Sequence, residues 1–240
     1  NLIAGYNGAV YNKYSQGVFP RQMFGTSHFF KSKQLEASFN YSYTQNKILT
    51  NFTDITNFME DGQIRDTWTS DLEVIYRSKK HNTSAFLDYL INDNNTVSFS
   101  TVATFTPSYL TRDLSDTKIR DANDGSSSGF YTVNNGKYES INAAFYLDYK
   151  HNLNDQGSNL AVNVHYTHYD YDKNQELESD FYDGNMAIVG ENDFNTFNHQ
   201  HTDLYSAQAD FNAPIGETAN FESGIKYALI DSESYIAQIG

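Results

Sequence analysis

The chain has 240 residues, 30 Asp and Glu against 16 Lys and Arg, and a formal net charge of −14. That balance excludes a nucleic-acid partner, since phosphate binding needs clustered cations. Aromatic residues make up 15% of the chain, which excludes an acidic disordered polymer, and the lack of cysteine excludes a disulfide scaffold or a thiolate metal site.

Taken in chain order, the predicted elements are strands over 2–14, 18–30, 34–48, 75–91, 96–108, 137–151, 158–171, 199–212 and 218–233, with almost no helix signal. "LEASFNYSY" sets Leu35, Ala37, Phe39, Tyr41 and Tyr43 against Glu36, Ser38, Asn40 and Ser42. "TSAFLDYLI" and "TVSFSTVATF" repeat the alternation through Leu87 and Tyr89, then Val97, Phe99 and Phe105. The stretch 141–171 does so on both sides of a turn, with Phe145, Leu147 and Tyr149 before it and Leu160, Val162 and Val164 after it. Phe211 in 199–212, and Phe221 and Ile225 in 218–233, end the series. Period two with one polar face is the mark of a half-buried strand.

Four connections are tight and rich in turn-formers: "KSK" (31–33), "NDNN" (92–95), "NLNDQG" (152–157) and "APIG" (213–216), roughly 61 residues apart. Between them the sequence predicts long polar loops over 49–74, 109–136 and 172–198. An up-and-down meander then gathers the tight turns at one end and the long loops at the other.

Alternation is compatible with a soluble sandwich or lipocalin-like barrel, apolar side inward, and with a transmembrane barrel, apolar side outward. Loop asymmetry favours the membrane. So do aromatics at both ends of the stripes: Phe30, Tyr89, Tyr149 and Phe211 near the tight turns, and Tyr41, Tyr43, Phe105, Tyr166 and Tyr227 at the far ends. The stripes run about five alternate positions, close to the 9–11 residues with which a tilted strand crosses hydrocarbon. The expected lipid-facing residues are Phe145, Leu147, Val162, Val164, Phe221 and Ile225. The expected lumen-facing residues are Asn142, Asp148, Lys150, Asn163, Asp210 and Glu222. The fold class is all-β, an antiparallel up-and-down transmembrane β-barrel of which about nine strands are present.

Three segments resemble barrel sequence of TonB-dependent receptors of the Bacteroidetes type: "QGVFPRQMFGTSHFFKSKQLEASFNYSYTQNK" (16–47), "HNTSAFLDYLINDNNTVSFS" (81–100) and "YLDYKHNLNDQGSNLAVNVHYTHYDYDKNQ" (146–175). The resemblance implies a 22-stranded barrel, of which residues 1–240 would be one part. It also implies an outer-membrane location with tight turns periplasmic and long loops extracellular. The implied function is energised uptake of a siderophore, vitamin, glycan or peptide. The expected partners are outer-membrane lipid and lipopolysaccharide, TonB acting through a plug, and a surface lipoprotein or other complex subunits. The sequence departs from the family's pattern in having no plug domain, no TonB box, no signal peptide and no terminal strand ending in an aromatic. The competing readings are a plugless barrel serving as a structural subunit of an outer-membrane complex, and a small pore or rim enzyme.

No G-x-S-x-G, H-E-x-x-H or phosphate loop is present, so neither an enzyme nor a cofactor is expected. "DANDGSSSG" (121–129) offers Asp121, Asn123 and Asp124 as oxygen ligands around Gly125 in the manner of a calcium loop, but it lacks the closing Glu. The acidic stretch 172–193 reads as a solvated loop. His165, His168, His199 and His201 gather near the loop ends of two consecutive strands. His199 and His201 share a face by parity and His168 is a candidate for the same face, but no carboxylate or cysteine at fixed spacing completes a metal site.

Overall fold

The computed structural model describes residues 4–216 and 218–240; the first two residues of the predicted strand 2–14 lie outside the described residues. Nine strands follow one another: β1 (Gly5–Gln16), β2 (Pro20–Lys31), β3 (Leu35–Glu60), β4 (Gln63–Asn92), β5 (Asn95–Asp121), β6 (Ser127–Asn152), β7 (Asn159–Tyr182), β8 (Ile188–Ile215) and β9 (Ala219–Ile239). They form one sheet in the order β1 to β9, and every neighbouring pair is antiparallel. The fold is therefore all-β and up-and-down. Among the described residues β1 pairs only with β2 and β9 only with β8, so both edges of the sheet are open.

The tight turns close as their residue types dictate. Asn154 Oδ1 accepts the backbone N–H of Gln156 and of Ser158 at 3.1 and 3.0 Å, and Gly157 takes φ +98°. In the 92–95 turn, Asn92 Oδ1 accepts the Asn94 N–H at 3.0 Å. These are side-chain mimics of a backbone turn.

The opposite end differs from expectation. The predicted long loops 49–74, 109–136 and 172–198 are mostly strand, and they carry β3 to β8 to lengths of 24 to 30 residues. What remains of them are short reversals at 61–62, 122–126 and 183–187. Each holds an Asp-Gly pair: Asp61-Gly62, Asp124-Gly125 and Asp183-Gly184. Asp61 and Gly62 have φ +52° and +80° and join Glu60 to Gln63, the two-residue reversal that positive φ at both positions permits.

One irregularity resets the faces. Around Pro107 the register of β5 slips by one residue against both neighbours: Phe105 pairs His81 but Ser108 pairs Lys79, and Thr106 pairs Ser140 but Tyr109 pairs Tyr138. Proline has no N–H to give to a ladder, so a bulge accommodates it. Odd residues of β5 share the apolar face before the bulge, and even residues share it afterwards.

The sheet has no apolar core. Among the described residues only Ala143 and Tyr182 are buried hydrophobics, while Leu147, Val164, Phe221 and Ile225 are 48%, 45%, 49% and 75% exposed. The accessible surface is 15736 Å². A compact monomer of this mass would show about 11,000 Å². A soluble sandwich or lipocalin-like barrel covers one face of its sheet with apolar packing; here neither face is covered. Among the described residues no helix is long and apolar enough to cross a membrane.

Candidate functional site

The strand register sorts the predicted residues onto two faces without exception. One row joins Leu147, Val164, Ala207 and Tyr227, the next joins Tyr149, Val162, Ala209 and Ile225, and Phe145 and Phe221 fall on the same side. The other face carries the row Asp148, Asn163, Gln208 and Lys226, together with Asn142, Lys150, Asp210 and Glu222. On that polar face the side chains bond laterally: Ser98 Oγ donates to Asp88 at 2.7 Å, Asn163 donates to Asp148, and Thr104 Oγ1 donates to Asn82 at 3.1 Å. Such cross-strand pairs satisfy the wall without an apolar partner layer.

At the far end of the apolar stripe lies an aromatic row. Phe145, Tyr166 and Tyr205 stack across β6, β7 and β8, with Tyr166 and Tyr205 at 4.9 Å between centroids and 24° between planes. Beyond it the same face carries ionisable residues, His168, Asp170 and Asp172 on β7 and His199, His201 and Asp203 on β8.

Directly above the row, on the same face, antiparallel pairing sets "HYDYD" (168–172) against "HQHTD" (199–203), so that His168 faces Asp203, Asp170 faces His201 and Asp172 faces His199. His168 Nδ1 lies 2.9 Å from Asp203 Oδ1, and His199 Nδ1 lies 2.9 Å from Asp172 Oδ1. His201 is held on both sides, Nδ1 at 3.1 Å from Asp170 and Nε2 at 3.3 Å from Asp203. The Tyr166 hydroxyl donates to Asp203 Oδ1 at 2.9 Å. The hydrogen bond with Asp170 holds the His201 imidazole above the ordinary histidine value, and the bond from His168 holds Asp203 below the ordinary carboxylate value. Two groups have ligand atoms within 4.8 Å of one another: His168, His201 and Asp203, and Asp170, Asp172 and His199. His165 is on the polar face instead, stacked on Tyr146 at 4.4 Å and 5°.

A second feature of the apolar side lies on β3 to β6 beyond the stripe. Lys47, Arg77, Lys79, Arg112 and Lys137 share that face, a local concentration of cations in an acidic chain. Lys137 bonds to Glu139 at 2.6 Å, and Arg77, Arg112 and Lys137 line a groove of about 550 Å³ floored by Ile75, Leu110 and Phe197.

Residues 151–238 match the outer membrane protein beta-barrel family. That match, over β7 to β9, supports an outer-membrane β-barrel and an outer-membrane location. No curated protein matches the chain. Among solved structures, the CymD monoaromatic hydrocarbon channel is 10% identical, covering 98% of this chain and 77% of that one at a TM-score of 0.29. Pseudomonas aeruginosa OccK10 (OpdN) is 8% identical over 95% and 93% of the two chains, at 0.18. Pseudomonas aeruginosa OccK5 (OpdH) is 10% identical over 98% and 96%, at 0.17. Likeness at this level carries no argument about function.

The residues proposed as calcium ligands build the β5–β6 reversal. Asp121 Oδ1 accepts the Asn123 N–H and Asp124 Oδ1 accepts the Ser126 N–H, each at 2.7 Å, and Gly125 takes φ +72°. The Ser126 hydroxyl and then the Ser126 N–H hold the Asp124 carboxyl below its ordinary value. Asp183 does the same in the β7–β8 reversal, where the N–H groups of Ala187 and Asn185 hold its carboxyl low. Sequence reasoning missed the carboxylates that face the histidines. The signal was available: two triplets spaced at i, i+2 and i+4, whose antiparallel pairing through 183–187 sets them opposite each other.

Proposed function

We propose that the chain is a stretch of wall in a larger outer-membrane transport barrel of the TonB-dependent receptor type, which takes up a scarce nutrient such as a siderophore, vitamin, glycan or peptide. The carrying observation is an uncovered apolar stripe on a sheet whose other face is polar and internally hydrogen-bonded. Moving a Leu or Phe side chain from water to an apolar medium is worth about 1.5–3 kcal/mol, so a hydrocarbon solvent is what this face requires. Phe145, Leu147, Val162, Val164, Phe221 and Ile225 then meet lipid, and Asn142, Asp148, Lys150, Asn163, Asp210 and Glu222 meet the lumen.

In this reading the tight turns are periplasmic and the extended ends of β3 to β8 stand on the extracellular side. The cationic band of Lys47, Arg77, Lys79, Arg112 and Lys137 then lies where lipopolysaccharide presents its phosphates, which complements an otherwise acidic protein. Bacterial single-chain barrels have even strand numbers, so nine strands with two open edges call for more wall to close. A plug engaged by TonB, and a surface lipoprotein over the extracellular end, complete the proposal.

Two measurements test it. Leu147→Arg is expected to block assembly into outer-membrane vesicles, whereas Asn163→Arg is expected to assemble; the reverse pattern would sink the membrane reading. Uptake by cells carrying the full protein is expected to stop when TonB is deleted. Uptake that survives the deletion would leave a barrel but remove the receptor.

A further inference from the structure

The geometry points to a divalent transition-metal site on β7 and β8, on the face that carries the apolar stripe and just beyond the aromatic row, formed by His168, His201 and Asp203. A neutral imidazole has one N–H and one lone pair. His201 nevertheless has a carboxylate oxygen at each ring nitrogen, Asp170 at 3.1 Å from Nδ1 and Asp203 at 3.3 Å from Nε2. With Nδ1–H donating to Asp170, Nε2 and Asp203 are set to share a cation, either a proton or a metal ion. A metal ion also brings in a third donor already at hand. His168 Nδ1 lies 2.9 Å from the other oxygen of Asp203, and all three ligand atoms lie within 4.8 Å of one another.

The surroundings have the form of a metal site's supporting shell. Asp170 accepts from the far nitrogen of His201, the carboxylate–histidine–metal arrangement that fixes tautomer and ring orientation. Tyr166 donates to Asp203 Oδ1 at 2.9 Å and anchors the carboxylate. The two imidazoles meet edge to face at 5.2 Å and 68°, so their nitrogens converge without stacking. Opposite His168 on β6 is Ala143, which leaves the ring uncrowded, and Asp231 and Glu233 of β9 face Asp203 and His201 and add negative charge. Two imidazoles with one carboxylate are the donors that zinc, copper, nickel or ferrous iron prefer over calcium or magnesium, and three protein ligands leave one position open.

The experiment uses the full protein, purified in detergent with a tag free of histidine, and titrated with Co²⁺ and Zn²⁺ as probes. The expected result is one saturable equivalent, with a Co²⁺ visible spectrum of a low-coordinate site that Zn²⁺ abolishes. His201→Ala and His168→Ala are expected to remove the spectrum, Asp203→Asn to weaken affinity at least tenfold, and Asp170→Asn to weaken it about 10–100-fold as a supporting residue. His165→Ala, on the opposite face, is expected to change nothing. Heat-modifiable migration of each variant reports that the barrel has assembled. A protein that binds neither metal saturably would overturn the site and leave a protonated His201 bridging two carboxylates. So would binding that persists in an assembled His168→Ala/His201→Ala double variant.

Discussion

The two halves of this sheet share one hydrogen-bonded ladder and differ in the pattern of their side chains. Toward the tight turns, one face is a stripe of Leu, Val, Ile, Phe and Tyr and the other a lattice of Asn, Ser, Asp and Lys. Toward the Asp-Gly reversals, both faces are mixed: on β3, Leu49, Asn51, Thr53 and Ile55 lie on the side continuous with the stripe, and Ile48, Thr50, Phe52 and Asp54 lie on the other. Identical strand pairing therefore carries two different sequence patterns. Period-two hydrophobicity reports a difference in solvent between the faces, and it fades where both faces meet water.

The sharpest way to break this comparison is to place the same charge in both halves. Leu147→Arg or Val164→Arg is expected to cost about 2–4 kcal/mol, measured by urea unfolding from lipid vesicles. Ile55→Arg, on the same face but in the half toward the Asp-Gly reversals and already 61% exposed, is expected to change stability by no more than about 0.5 kcal/mol. Equal costs would show that the halves do not meet different solvents.

A smaller effect probes how the half toward the Asp-Gly reversals holds itself together. A Cβ on Gly129 would lie 2.3 Å from the Thr117 backbone oxygen and 2.4 Å from the Tyr182 hydroxyl. Gly129→Ala must therefore move backbone, at an expected cost of about 1–3 kcal/mol, seen as faster proteolysis of the β5–β7 reversals with the half toward the tight turns intact. Tyr182→Phe removes the bond to Asp116, 2.8 Å long, and is expected to cost about 1 kcal/mol in the same assay. The Tyr182 hydroxyl itself, pushed up to about 12 by burial and then by Asp116, is expected to stay protonated through any neutral titration.

The smallest effect is at the reversals. Asp124 and Asp183 are held below the ordinary carboxylate value, so the unfolded chain takes up their protons first as pH falls. Their contribution is complete above about pH 4. It disappears as pH drops through the lowered folded values. NMR titration of the two carboxyl carbons checks this; midpoints at or above the unfolded value would contradict the turn hydrogen bonds.

How much was legible follows from the same physics. Nine strands, the tight turns at 31–33, 92–95 and 152–157 and the membership of each face were readable from the alternation of residues such as Phe145, Leu147, Val162 and Val164 against Asn142, Asp148 and Asn163, whereas the turn expected at 213–216 falls later because β8 runs on to Ile215. The strand halves toward the Asp-Gly reversals read as loops because their alternation has no apolar contrast, although Asp61-Gly62, Asp124-Gly125 and Asp183-Gly184 mark the reversals. The shift of face at Pro107 was likewise marked by a residue type, but its direction depends on which neighbour absorbs the extra residue.

By itself the sequence determined the strand class, the meander order and the chemical character of each face, because these depend on local turn chemistry and on a period of two. Only the tertiary structure decided which residues stand opposite one another. His168 meets Asp203 and His201 meets Asp170 because an antiparallel register through the 183–187 reversal puts residues 35 and 31 positions apart within hydrogen-bond reach. Register is a property of the pair of strands, and neither strand states it alone.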